Sequence, residues 1–293
     1  MTYVLLGQDL HETADGAKKY FSQNYGATQF KCEQSVRENL PLKPTWQAKL
    51  KHGYTLCVNV QPSPFSHTLH EFVNSCAANG LAIKLWVAVS HGGAKDSFSA
   101  ELRKAHENGI GVLQFGPDGT AHEHNRAVPL SLFALRKTVL KDVPTVCREL
   151  VKDAEATFLD GAPDKGCQAI CQELERVTRA FAETTYNLGM WTAPKSSKTY
   201  SSKFFQTDPW AAMLEAMESR IDVTAVRGKC TGFSKQLIVQ SRGYTDWRNK
   251  VSHAPKTLQQ VQARDARLRT MYEATRDLLL EWYPVAKPFK VLK

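Results

Sequence analysis

The sequence predicts an α/β domain over residues 1–128 followed by an all-α helical domain over residues 129–293. Two observations carry that division. Before Pro129, apolar residues fall in short runs that switch between strand and helix periodicity, with turn residues between them. After Pro129, apolar residues recur only at three- and four-residue spacing, the mark of helices packing one face inward. At 293 residues, 42% hydrophobic and 23% charged, the chain has the composition of a globular protein and the length of two ordinary domains.

The elements follow in chain order. Thr45 to Lys51 and Tyr54 to Gln61 read as paired strands across a short turn at His52-Gly53. Ser66 to Asn79 reads as a helix, with Leu69, Phe72, Val73 and Cys76 on one face and Asn79-Gly80 as its stop. Ile83 to Val89 is a continuous apolar, β-rich run suited to a central strand. Phe98 to Asn108 is a second helix ending at Gly109. Val112 to Phe115 and Ala121 to Ala127 flank Pro117-Asp118-Gly119, a hairpin turn.

In the rear half, Leu132 through Val151 trace an amphipathic helix kinked at Pro144. Gly161-Ala162-Pro163-Asp164 makes a loop, and a second helix carries Ile170, Leu174, Val177, Phe181 and Leu188. Residues 189–207 are rich in Ser, Lys and Thr and read as an exposed connection. Asp208 is the expected N-cap of a helix with Pro209 at its first position. After Gly228 and Gly232 comes a helix carrying Phe233, Leu237, Tyr244, Trp247 and Val251, ended by Ala254-Pro255. Thr257 and Gln260 have capping-box spacing for a closing helix that stops at Pro284.

The net charge of +9, from 38 Lys+Arg against 29 Asp+Glu, favours a polyanionic partner. Seven scattered cysteines, several inside apolar runs, fit reduced buried thiols rather than a disulfide framework. Cys167 and Cys171 lie one helical turn apart, and His122 and His124 share a strand face, but neither pair has the further ligands of a metal site. No signal peptide and no membrane-length apolar run is present, so a cytoplasmic location without membrane association is expected.

The richest chemistry lies in Arg248-Asn249-Lys250-Val251-Ser252-His253. Arginine offers a permanently charged fork matched to phosphate oxygens, and histidine exchanges protons near neutral pH. On a helix, Asn249 and His253, four apart, share one face, and the helix C-terminus favours a protonated His253. This chemistry needs no metal or other cofactor. It suits RNA, which carries its own 2′-hydroxyl nucleophile.

Residues 130–285, with Arg248, the polar Asn249 beside it, four residues between Arg248 and His253, and helices on both sides, resemble the HEPN superfamily. That resemblance implies a metal-independent endoribonuclease of a prokaryotic defence or toxin-antitoxin system, acting as a homodimer, with an antitoxin or regulatory partner. It assigns His253 to proton transfer, Arg248 to the scissile phosphate and Asn249 to orientation of the site. Family members often carry an acidic residue on an earlier helix, for which Glu173 and Glu175 are the candidates. Some members bind without cleaving, so a nucleic-acid-binding scaffold is the alternative.

The front half resembles the restriction-endonuclease-like fold of the PD-(D/E)xK type, a mixed sheet flanked by helices. Pro44-Thr45 takes the place of Pro-Asp, and Asn59-Val60-Gln61 that of acid-x-Lys. Neutral side chains cannot supply the charge a hard divalent cation requires. A catalytically inactive sensor or regulatory domain is therefore expected. A metal-dependent DNase using a migrated site at Glu38, Lys49 and Lys51 is the second alternative. A Rossmann-like nucleotide sensor is another, with His91-Gly92-Gly93 as its anion-binding turn, although no Gly-rich loop follows an early strand.

Overall fold

The computed structural model describes residues 3–50, 53–90, 97–133, 135–136, 138–192, 200–247 and 257–292. By their internal contacts they form two compact units. One comprises Met1–Leu135, Leu159–Gly161 and Ala254–Arg267; the other comprises Arg136–Phe158, Ala162–His253 and Leu268–Lys293.

The first unit is built on a mixed six-stranded sheet in the order β1 (Thr28–Cys32), β2 (Trp46–Lys49), β3 (Thr55–Val60), β4 (Ile83–Val89), β5 (Gly111–Phe115) and β6 (Ala121–Asn125). Strands β3, β4 and β5 run parallel, while β1–β2, β2–β3 and β5–β6 pair antiparallel. The two parallel steps are made by α2 (His67–Ala78) and α3 (Phe98–Glu107), and both helices pack on one face of the sheet. There Leu69, Phe72, Val73 and Cys76 meet Ile83, Leu85, Val87 and Val89. Helix α1 (His11–Tyr25) covers the opposite face, setting Ala14, Ala17 and Phe21 against Trp46, Trp86, Leu56 and Val58. With both faces covered, β4 is buried along nearly its whole length, which is why it reads as an unbroken apolar run.

The local signals work as the physics requires. Ser66 caps α2 by accepting the Leu69 N–H, and Asp118 closes the β5–β6 hairpin by accepting the Thr120 N–H. Gly53 turns the β2–β3 hairpin at φ +82°, where a Cβ would also stand 2.6 Å from a Val261 methyl. Leu130 donates its N–H to Ile83 and Pro129 bridges Lys84, so the chain just past Pro129 still belongs to the sheet unit.

The second unit is helical: α4 (Arg148–Leu159), α5 (Pro163–Asn187), α6 (Ser202–Gln206), α7 (Trp210–Arg220), α8 (Val223–Arg227), α9 (Lys235–Arg242) and the later part of α10 (Leu258–Ala286). Phe181 packs against Phe233, Trp282 and Phe289 at its centre. Three indole N–H groups are satisfied by hydroxyls: Trp210 by Thr178, Trp191 by Thr185 and Trp282 by Ser241. Such pairs satisfy the buried indole donors and fix how α5 and α9 meet their neighbours.

Several expectations are corrected. The described residues between 132 and 147 lie in turns, irregular backbone and two short 3-10 segments, not a helix; Pro144 starts a turn, and Val139 and Val146 point to solvent. The connection after α5 is packed where described, since Met190, Trp191 and Phe205 are buried and Tyr200 stacks on Phe204. Asp208 does not cap α7, whose N-cap is Pro209; the Asp208 carbonyl instead accepts from Arg179. Phe233 precedes α9, and α9 ends at Arg242, with turns through residue 246. Helix α10 contains Pro284 and continues to Ala286. Among the described residues no helix is long and apolar enough to cross a membrane.

Candidate functional site

Arg248, Asn249 and His253 lie outside the described residues, as do Lys51, His91-Gly92-Gly93 and the Ala254-Pro255 stop. The chain on each side of the motif is defined. Before it, Gly243, Tyr244 and Trp247 donate their N–H groups to Gln240, Ser241 and Tyr244, and Trp247 is buried. After it, the expected capping box is formed: Thr257 N–H donates to Gln260 Oε1 at 3.3 Å, and Gln260 N–H donates to Thr257 Oγ1 at 3.2 Å. That reciprocal pair sets where α10 begins.

The two acidic candidates are both committed to ion pairs on α5. Glu173 is buried and takes a two-pronged contact from Arg176, at 2.6 and 2.7 Å. Glu175 takes the Arg179 guanidinium at 2.9 Å, and Arg179 also donates to the carbonyls of Phe205 and Asp208. Both carboxylates therefore hold arginines that organise the helical unit.

In the sheet unit, the neutral positions gather at one end of β3. Thr45 is buried and its hydroxyl accepts the Val60 N–H at 3.0 Å. Asn59 donates to Gln61 at 2.8 Å, Gln61 donates to the Ser63 carbonyl, and the Ser63 hydroxyl donates to Glu101. The chain of amides satisfies itself. Lys49 sits opposite Thr55, at the other end of the ladder, roughly 13 Å from Asn59 at the usual strand rise. Glu38 is exposed in the loop after β1. The strand register thus keeps Lys49 away from the end where Thr45 and Asn59 meet.

Two polar clusters escape a reading by motif. Glu123, visible in sequence only as the middle of His-Glu-His, accepts from Tyr25 at 2.6 Å, Tyr20 at 2.9 Å and Arg126 at 2.9 Å. Burial alone would raise its pKa, but the donors from Tyr25, Arg126 and Tyr20 outweigh it and hold the carboxyl below the ordinary carboxylate range. On the same sheet face, burial pushes the Lys84 ammonium down, and its Nζ donates to the Asp160 carbonyl. In the second cluster, Asp265 is fully buried and accepts from Ser131 at 2.6 Å, Arg264 at 2.8 Å and Tyr54 at 3.1 Å. The signal for it was weak: an Arg-Asp pair inside a helix normally faces water.

His122 and His124 do share a face, with ring centroids 4.6 Å apart, and His124 contacts Gln114 and Phe98. Burial, then the neighbouring His122, lowers the His124 pKa. Cys167 donates to the Leu268 carbonyl and Cys171 lies against the Thr275 hydroxyl, so both thiols serve the contact of α5 with α10. None of the seven cysteines is in a disulfide, and all but Cys32 are buried. Among the described residues no group of three His, Cys, Asp or Glu side chains is placed to hold a metal ion. Comparison with protein-family models, curated proteins and solved structures finds no match for this chain.

Proposed function

We propose that this chain is a metal-independent endoribonuclease whose reacting centre is formed by Arg248, Asn249 and His253, with the sheet unit as a sensor or regulatory module. The observation that carries the reading is the arginine–amide–histidine set at Arg-x4-His spacing, between α9 and the capped start of α10. The positive net charge supports a polyanionic substrate. The self-satisfied Asn59–Gln61 pair supports a sheet unit without its own hydrolytic centre.

In this mechanism the RNA 2′-oxygen attacks the adjacent phosphorus while the bond from phosphorus to the 5′-oxygen breaks. The 2′-hydroxyl proton passes to a base and the leaving 5′-oxygen gains a proton, leaving a 2′,3′-cyclic phosphate and a 5′-hydroxyl. His253 handles proton transfer, Arg248 neutralises the charge that builds on the phosphate, and Asn249 orients it. A homodimer would bring two such sets together. The setting is prokaryotic defence or a toxin-antitoxin pair, by resemblance alone.

The test is RNA cleavage by the purified chain in EDTA, with Arg248→Ala and His253→Ala alongside. Loss of proton transfer is expected to slow cleavage by ~10²–10⁴-fold, and the wild-type product should carry a cyclic phosphate. Undiminished cleavage by His253→Ala, or 5′-phosphate products, would overturn the reading. Salt-sensitive RNA binding without cleavage would replace it with a binding scaffold.

A further inference from the structure

The helical unit contains a groove of about 830 Å³ between the Lys141–Arg148 stretch and the end of α10 with the C-terminal tail. That volume is within the usual range of ligand-binding clefts, ~300–1,000 Å³. Its lining has a consistent design. Pro144, Val146, Leu280, Pro284 and Leu292 provide aliphatic surface, while Val143 is buried. Lys141, Arg148, Lys287 and Lys290 supply four cations, against the one carboxylate of Asp142. Arg148 spends its Nε on the Val143 carbonyl, while Lys141, Lys287 and Lys290 make no ion pair among the described residues.

The stretch that supplies Val146 to the groove exposes further apolar side chains. Val146 is 63% exposed and Val139 53% exposed, with Leu140 and Leu150 in the same stretch exposed as well. These are four of the eight large exposed apolar side chains found among the described residues, gathered within residues 139–150. Exposed apolar side chains gathered in one stretch beside a cationic groove mark an interaction surface rather than a random scatter. Along this stretch Val143 and Cys147 turn inward, while Val139, Leu140 and Val146 face outward from the turns and 3-10 segments and Leu150 from the first turn of α4.

We propose that this groove docks an acidic amphipathic protein segment, a helix whose aliphatic side chains enter the groove while its carboxylates meet the lysines. Charge complementarity selects that occupant. A second copy of this chain would bring like charge, since the chain carries +9. Single-stranded RNA would find no stacking platform, because Tyr283, the one aromatic residue lining the groove, is only 1% exposed. A helix-in-groove partner uses both features present: aliphatic anchors at three- and four-residue spacing and a polar face of opposite charge. No described lining residue of the groove belongs to the Arg248–His253 segment, so this inference stands whether or not the chain cleaves RNA.

The test uses the full chain and a fluorescein-labelled helical peptide with leucines at i, i+3, i+4 and i+7 and glutamates at the exposed positions. Fluorescence anisotropy is compared for wild type, Lys287→Glu/Lys290→Glu and Val146→Asp, each first shown by circular dichroism to keep its helix content. Saturable binding weakened at least ~10-fold by both variants is expected, the size of one or two lost interfacial anchors. A photo-crosslinker on the peptide should label residues 141–148 or 280–292, read by mass spectrometry. Absence of saturable binding, binding unaltered by both variants, or crosslinks elsewhere would overturn the proposal. So would equal binding of a peptide with lysines replacing the glutamates. Preferential binding of oligouridine or of anionic vesicles at the same residues, or dimer loss in Val146→Asp, would assign the groove to one of those occupants instead.

Discussion

The Asp265 cluster offers the sharpest stability test of the sheet unit. Replacing Asp265 by Ala takes the Asp265 carboxylate from Arg264, 13% exposed at its side chain, and from the Tyr54 and Ser131 hydroxyls that donate to it. Breaking a buried ion pair from one side costs about 3–5 kcal/mol, mostly because the remaining charge stays desolvated. At ~2–4 °C per kcal/mol for a unit of this size, the melting temperature should fall by ~6–20 °C. Asp265→Asn keeps one acceptor but presents an N–H toward donors, so a smaller loss of about 1–3 kcal/mol follows. Tyr54→Phe removes one donor and should cost about 1 kcal/mol. Thermal melts, with hydrogen-exchange protection of Thr55–Val60 as the local readout, give the order Ala worse than Asn, and Asn worse than Phe. If Asp265→Asn matched wild type, the ionised carboxylate would not be what holds this cluster, and the reasoning would fail.

Two further outcomes follow from the same unit. Gly111→Ala places a Cβ within 2.4–2.7 Å of the Trp86 ring, which is wedged against Phe21 and Tyr25 and has no room to yield; a loss of about 1–3 kcal/mol in urea unfolding is expected. Glu123 has a folded pKa below the ordinary carboxylate range, so its contribution to stability is present above that range and is lost as pH falls through the lowered value. Glu123→Gln should therefore flatten the acid limb of a stability-against-pH profile, and an unchanged acid limb would rule the effect out.

The parts of the fold legible in sequence are those where one local rule dominates. β4 is a run of apolar residues with no competing signal, α2 has a serine cap and an Asn-Gly stop, and the Thr257–Gln260 box is a pair of reciprocal side-chain bonds between near neighbours. The parts that were not legible depend on distant chain. Helix α1 buries Ala14 and Ala17 with only one large apolar residue, Phe21, so its stripe carries little hydropathy signal. β1 is an exposed edge strand with a bulge, and its side chains need not alternate. Residues 132–151 show the opposite failure. Their spacing is helical, but Pro144 removes a backbone donor; Leu132, Leu135, Val143, Cys147 and Val151 are buried without forming one helix, and Val139 and Val146 are left exposed. Periodicity states which residues a helix would bury together; it does not state that one continuous helix forms.

The same contrast governs the functional residues. Polar side chains that serve structure were hidden because their partners are far apart in sequence, as Glu123 is from Tyr20 and Asp265 is from Tyr54. Once found, each has its donors matched, which leaves little capacity for a substrate. Glu173 and Glu175 join this class through Arg176 and Arg179, and the Asn59–Gln61 pair joins it through Ser63. The lysines of the groove are the opposite case: Lys141, Lys287 and Lys290 bring charge to an apolar surface without an ion-pairing partner among the described residues. A folded chain gains nothing from holding aliphatic side chains and like charges together in the open. The proposed oppositely charged, apolar-faced partner would remove both from water, and that is the role the groove's lining fits.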